Sequence, residues 1–183
     1  MSARAGEVDL SAPVDATDHA DGPADAPVTL VVYGDFECPY TRAAHLAIRR
    51  VQATDGATLR YVFRHFPLVE IHPHAANAAR AAEAAAAAGR YWPMHDTLFA
   101  RQDALEDDAL IGYAEAEGVS TAAARAALFQ GTHDRRIARD IASGQASGVQ
   151  GTPTLFLGGQ RYEGSREAGP LREAVRESAA SAR

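Results

Sequence analysis

The sequence predicts an α/β fold in the order β-α-β, a block of helices, then β-β-α. Three observations predict it. Two apolar runs of strand character, residues 28–33 and 58–63, flank a segment with helical spacing. A long alanine-rich stretch follows. Near the end, Gly158-Gly159 separates two short strand-like segments.

Val28-Thr29-Leu30-Val31-Val32-Tyr33 is almost unbroken in its apolar and β-branched character, as in a strand covered on both faces. Gly34-Asp35-Phe36-Glu37 turns the chain, and Cys38-Pro39-Tyr40-Thr41 begins a helix, with Pro39 in the first turn where its missing N–H costs nothing. Ala44, Ala47, Ile48 and Val51 form the apolar stripe of that helix, and Thr54-Asp55-Gly56 ends it. A strand–helix–strand opening favours parallel pairing through a right-handed crossover. Helices are expected over 72–88, 92–102, 107–117, 121–129 and 134–147, with Ser120-Thr121 as a cap. Residues 153–157 and 160–163 form a hairpin around Gly158-Gly159, a turn that needs positive φ. A helix over 171–178 closes the chain.

At 183 residues, 46% hydrophobic and 23% charged, the chain fits one globular domain with a real core. A net charge of −6 argues against nucleic acid as a partner, because a phosphate-binding surface needs a basic excess. No apolar run approaches a membrane span. The 18 basic residues are all arginine, so lysine chemistry is excluded. Residues 1–25, rich in Ala, Asp, Gly and Pro, are expected to be a flexible lead-in to a domain over 26–183. They carry no secretory signal pattern, which points to a cytoplasmic protein or to the trimmed form of an exported one.

Cys38 is the chain's single cysteine, so no internal disulfide forms. A lone cysteine is commonly a small buried hydrophobe. Its position after a turn, beside proline and at a helix start favours a reactive thiol, because the helix N-terminus stabilises a thiolate. Arg42, one turn on, leans back toward that end. Metal binding is not expected: His72-Pro73-His74 reads as the start of a helix, and His65 as a structural histidine. Trp92, Met94 and Phe99 read as core.

Gly34-Asp35-Phe36-Glu37-Cys38-Pro39-Tyr40 and Gly151-Thr152-Pro153-Thr154 resemble the DsbA-like branch of the thioredoxin superfamily. So do Arg64-His65-Phe66-Pro67-Leu68, His72-Pro73-His74-Ala75 and Met94-His95-Asp96, and the likeness runs from about residue 18 to the last helix. It is similar to the bacterial subset found fused to sodium/proton antiporters. The resemblance implies a thioredoxin fold of four or five strands, with a helical insertion after the second strand, over about 70–148. It also implies a cis Thr152–Pro153 bond against Cys38, which acts as nucleophile. Pro39 and Tyr40 would tune the site, and Thr152 would pair with substrate backbone.

Two departures matter. The family's second motif cysteine is Thr41 here, and its buried carboxylate, six residues before the nucleophile, is Val32. Both losses fall on the half-reaction that resolves a mixed disulfide. The expected activity is therefore monothiol thiol–disulfide exchange, of oxidoreductase or isomerase type, on protein or small-molecule disulfides. No cofactor is bound, and an external thiol such as glutathione resolves the intermediate. Thr41 either donates a hydrogen bond to the thiolate or simply fills space. Two other readings are a redox-inactive peptide-binding module and a glutathione-dependent transferase or isomerase of the kappa type.

Overall fold

The structure, a computed structural model, describes residues 9–182. Its frame is a five-stranded sheet ordered β1-β3-β2-β4-β5. The strands are β1 (His19–Asp21), β2 (Val28–Gly34), β3 (Leu59–His65), β4 (Thr154–Leu157) and β5 (Gln160–Tyr162). β2 and β3 pair in parallel, joined through helix α1 (Pro39–Asp55), and the other three pairings are antiparallel. Gly158 and Gly159 both take positive φ, 59° and 84°, so the β4–β5 hairpin has the turn that the glycine pair demands.

The continuous apolar character of β2 has a direct cause. Leu30 and Val32 face one core with Ile48 and Val51 of α1 and with Leu171 and Val175 of α7 (Ala168–Ser181). Val31 and Tyr33 face a second, smaller core with Phe66, Val149 and Phe156. Between β3 and β4 lie α2 (Ala75–Ala87), α3 (Tyr91–Ala100), α4 (Asp107–Ala116), α5 (Thr121–Gln130) and α6 (Asp134–Ala146). The alanines of α2 allow close helix approach, and Met94, Leu98, Leu110 and Leu128 fill the space around them. Ser120 caps α5, its Oγ accepting the Ala123 N–H at 3.2 Å.

The lead-in differs from expectation. Residues 1–8 of it lie outside the described residues, but from Asp9 onward it is packed. Asp9 bridges Gln160, and the Leu10 N–H donates to the Gly159 carbonyl at 2.8 Å. Buried Arg64 then gathers the next stretch: its guanidinium donates to the carbonyls of Ala12 and Pro13, to both carboxylate oxygens of Asp18 and to the Tyr33 hydroxyl. β1 completes the sheet edge against β3, so the domain body begins well before residue 26. Composition marked this stretch as flexible because its anchor is a side chain on β3, remote in sequence.

Candidate active site

β2 ends at Gly34, where a Cβ would stand 2.5 Å from the Phe63 ring and 2.7 Å from the Thr41 methyl. Only glycine lets the strand pass there before the turn to α1. Asp35, 1% exposed, then organises the turn. One carboxylate oxygen accepts the Glu37 N–H at 2.8 Å; the other accepts the Leu68 N–H at 2.8 Å and sits 2.8 Å from His72 Nδ1. Glu37 accepts the His74 N–H at 2.7 Å, just before α2. Gln102 donates to the carbonyls of Phe36 and Cys38 at 2.7 and 3.0 Å. The helical insertion thus clamps the turn on several sides, and residues 35–38 have little freedom.

Cys38 is the N-cap of α1, with extended backbone (φ −76°, ψ 119°) and no side-chain capping bond. Its thiol donates to the Thr152 carbonyl at 3.4 Å, and the Thr152–Pro153 peptide bond is cis. The two motifs, 114 residues apart, therefore meet through the sulfur. Pro39 and Tyr40 are exposed beside it, Tyr40 at 73%. Cys38 itself is 3% exposed, so the sulfur is buried rather than on an open surface. The Thr152 hydroxyl is buried and without a partner among the described residues.

Of the two roles open to Thr41, the geometry is that of a buried side chain that fills space. Its hydroxyl accepts the Asp35 N–H at 3.4 Å and makes no hydrogen bond to Cys38. The hydroxyl is turned to the amide of the turn, and the methyl group packs toward Gly34. Arg42 is exposed and makes no ion pair among the described residues. The turn-holding side chains Asp35, His72 and Gln102 were not legible as such. An Asp after glycine signals a turn, but nothing in the sequence pairs it with His72 or brings Gln102 beneath Phe36.

The histidines of the Met94-His95-Asp96 and Arg64-His65 motifs lie in an aromatic nest behind the site. His45 stacks on Phe99, with ring centroids 4.8 Å apart, and meets His95 edge-on at 4.9 Å. Burial lowers the pKa of His45 to about 4 and of His95 to about 3, so both are neutral at pH 7. Asp96 is gripped by Arg49 through two hydrogen bonds at 2.9 and 3.1 Å.

Comparison with known proteins fits this frame. A family profile described as thioredoxin matches residues 15–177. The chain belongs to that thioredoxin family. Among relatives, a Na(+)/H(+) antiporter NhaA of Salinispora tropica is 45% identical over 184 residues, which covers 100% of this chain and 28% of that protein. An NhaA antiporter of Herminiimonas arsenicoxydans is 47% identical over 160 residues, covering 87% of this chain and 25% of its own length. The chain thus spans about a quarter of the curated relatives it matches. No helix among the described residues is long and apolar enough to cross a membrane.

Solved structures agree on the fold. A thioredoxin-like oxidoreductase from Silicibacter pomeroyi superposes with a TM-score of 0.78 at 26% identity, covering 90% of this chain and 93% of that one. BdbD from Bacillus subtilis gives 0.78 at 21% identity, covering 88% and 92%. Wolbachia pipientis alpha-DsbA1 gives 0.79 at 18%, covering 94% and 96%. The thioredoxin-family chain is thus DsbA-like in architecture, helical insertion included.

Proposed function

We propose that the protein catalyses monothiol thiol–disulfide exchange with Cys38 as nucleophile. The observation that carries this reading is the sulfur at the N-terminus of α1, facing the Thr152 carbonyl beside Pro153, with Thr41 three residues on. The likeness to the thioredoxin-like oxidoreductase of Silicibacter pomeroyi supports it.

The Cys38 thiolate attacks one sulfur of a disulfide R–S–S–R′. A Cys38–S–S–R bond forms, the S–S bond breaks, and R′–S⁻ leaves with the electron pair. An external thiolate, such as that of glutathione, then attacks the R sulfur and returns Cys38 as thiolate. No net oxidation occurs over the cycle, so the activity is exchange and reshuffling. Pro39 and Tyr40 are the exposed residues beside the sulfur, and the Thr152–Pro153 loop facing it is where an extended substrate would pair with backbone.

The test is the mass of the chain after exposure to oxidised glutathione, with Cys38→Ser as control. A single glutathione adduct on the parent, removed by reduced glutathione and absent from the control, is the expected result. No adduct on the parent overturns it. That outcome would favour the redox-inactive peptide-binding module, the reading that the low exposure of Cys38 supports.

A further inference from the structure

Away from Cys38, three side chains from three elements converge on one point. His19 comes from edge strand β1, His65 from the end of β3 and Glu83 from α2. Nε2 of His19 and Nε2 of His65 each lie 2.7 Å from the same carboxylate oxygen of Glu83. Glu83 and His65 are buried, at 6% and 1% exposure, while His19 is 16% exposed. The ring of His19 stacks on Tyr91, with centroids 3.5 Å apart and planes 9° from parallel. A surface concavity of about 300 Å³, bordered by Asp18, His19, Gly89, Tyr91 and Trp92, opens on the His19 side.

We propose that His19, His65 and Glu83 form a binding site for a zinc-class divalent cation, with its fourth position open to solvent on the His19 side. The donor set is the reason. Two imidazoles and one carboxylate with an open position suit such an ion, at ligand distances of roughly 2.0–2.2 Å. Tetrahedral placement at those distances separates ligand atoms by about 3.3 Å. The 2.7 Å contacts must therefore open by roughly half an ångström, which rotation of the partly exposed His19 ring supplies on one side.

Both imidazoles converge on one oxygen of the Glu83 carboxylate. A carboxylate only accepts, so in the metal-free form both Nε2 atoms carry protons and donate to it. A bound cation takes the place of those protons, and each ring proton moves to Nδ1. His65 Nδ1 is buried with no partner among the described residues, its ring centroid 5.9 Å from those of both Phe36 and Phe63. A missing outer partner costs roughly 10–100-fold in affinity, so this site binds more weakly than one whose second ring nitrogen is hydrogen-bonded. The second histidine–carboxylate cluster, His45, His95 and Asp96, is unsuited because the Arg49 guanidinium already supplies the positive charge on Asp96.

The test is titration of the full chain, carrying Cys38→Ser to remove the thiol, with Co(II) at pH 7.5. One saturable Co(II) per chain is expected, displaced by Zn(II) and bound at least tenfold more weakly after His19→Ala. His133→Ala, which lies outside the three-residue cluster, should leave it unchanged. Zn(II) should raise the melting temperature of the parent and not that of the His19→Ala chain. Because His19 is partly exposed, its loss is compatible with folding, and circular dichroism verifies this; Glu83→Gln gives an independent second variant. No stoichiometric uptake, or uptake that survives His19→Ala or is lost with His45→Gln instead, overturns the proposal.

Discussion

At Cys38 the N-cap position of α1 is filled by a side chain that caps nothing, so the sulfur is left to face the Thr152 carbonyl. Ser, Thr, Asp or Asn would normally accept an amide hydrogen bond there. Thr41 lies on the same helix face one turn later, 1% exposed, and is close to cysteine in size. Thr41→Cys should therefore fold and set a second thiol beside the first, at the loss of the 3.4 Å contact to the Asp35 amide. After treatment with oxidised glutathione the parent should carry one adduct by intact mass. The Thr41→Cys chain should carry none and have no free thiol, because an internal disulfide closes. A persistent adduct in that variant would mean that position 41 does not address the sulfur. The pairing of Cys38 with the Thr-Pro loop was legible only through family resemblance. The role of Asp35 was hidden, because its partners Leu68 and His72 are set by how the insertion folds back.

Among the elements, those with strong periodicity were legible and the one with an anchor elsewhere was not. β2, α1 and β3 declare themselves because buried residues dominate their spacing, and the hairpin because glycine is needed at both turn positions. β1 has three half-buried residues and no apolar alternation. What orders it lies on β3: Arg64, 2% exposed, pairs with Asp18, 1% exposed, while donating to Ala12, Pro13 and Tyr33. Removing one partner of a buried pair strands the other charge and costs about 3–5 kcal/mol. Arg64→Ala should lower the urea midpoint accordingly and speed hydrogen exchange of the amides over 15–21. A loss below about 1 kcal/mol, with exchange over 15–21 unaltered, would mean that the lead-in is held by its backbone contacts to the β4–β5 hairpin rather than by Arg64.

Across the whole molecule, the histidines of the aromatic nest tie stability to acidity. The sequence showed seven histidines and gave no sign that His45 of α1 would meet His95 of α3, since only the packing of the insertion against the sheet brings them together. His45 faces Asp96, Arg49, His95 and Tyr61; His95 faces Asp96, His45, Arg49, Tyr61 and Tyr91. For both, desolvation outweighs the attraction of Asp96 and lowers the pKa, to about 4 and about 3. In the unfolded chain each takes up a proton near pH 6.5. Between those values the unfolded state binds more protons, so stability falls as pH drops below about 6.5 and levels off only below the folded values. By pH 4 the two together oppose folding by several kcal/mol, on the order of 1.4 kcal/mol for each tenfold change in proton affinity. Asp96, lowered to about 2, adds a further loss below about pH 4, whereas Asp140, raised by burial, acts in the opposite sense. The urea midpoint should thus decline steadily from pH 7 to pH 4, and His45→Gln should flatten part of that slope. A midpoint that stays level from pH 7 to pH 5 would show that the nest accepts protons as readily as water-exposed imidazole does, and that its histidines are not held neutral by the fold.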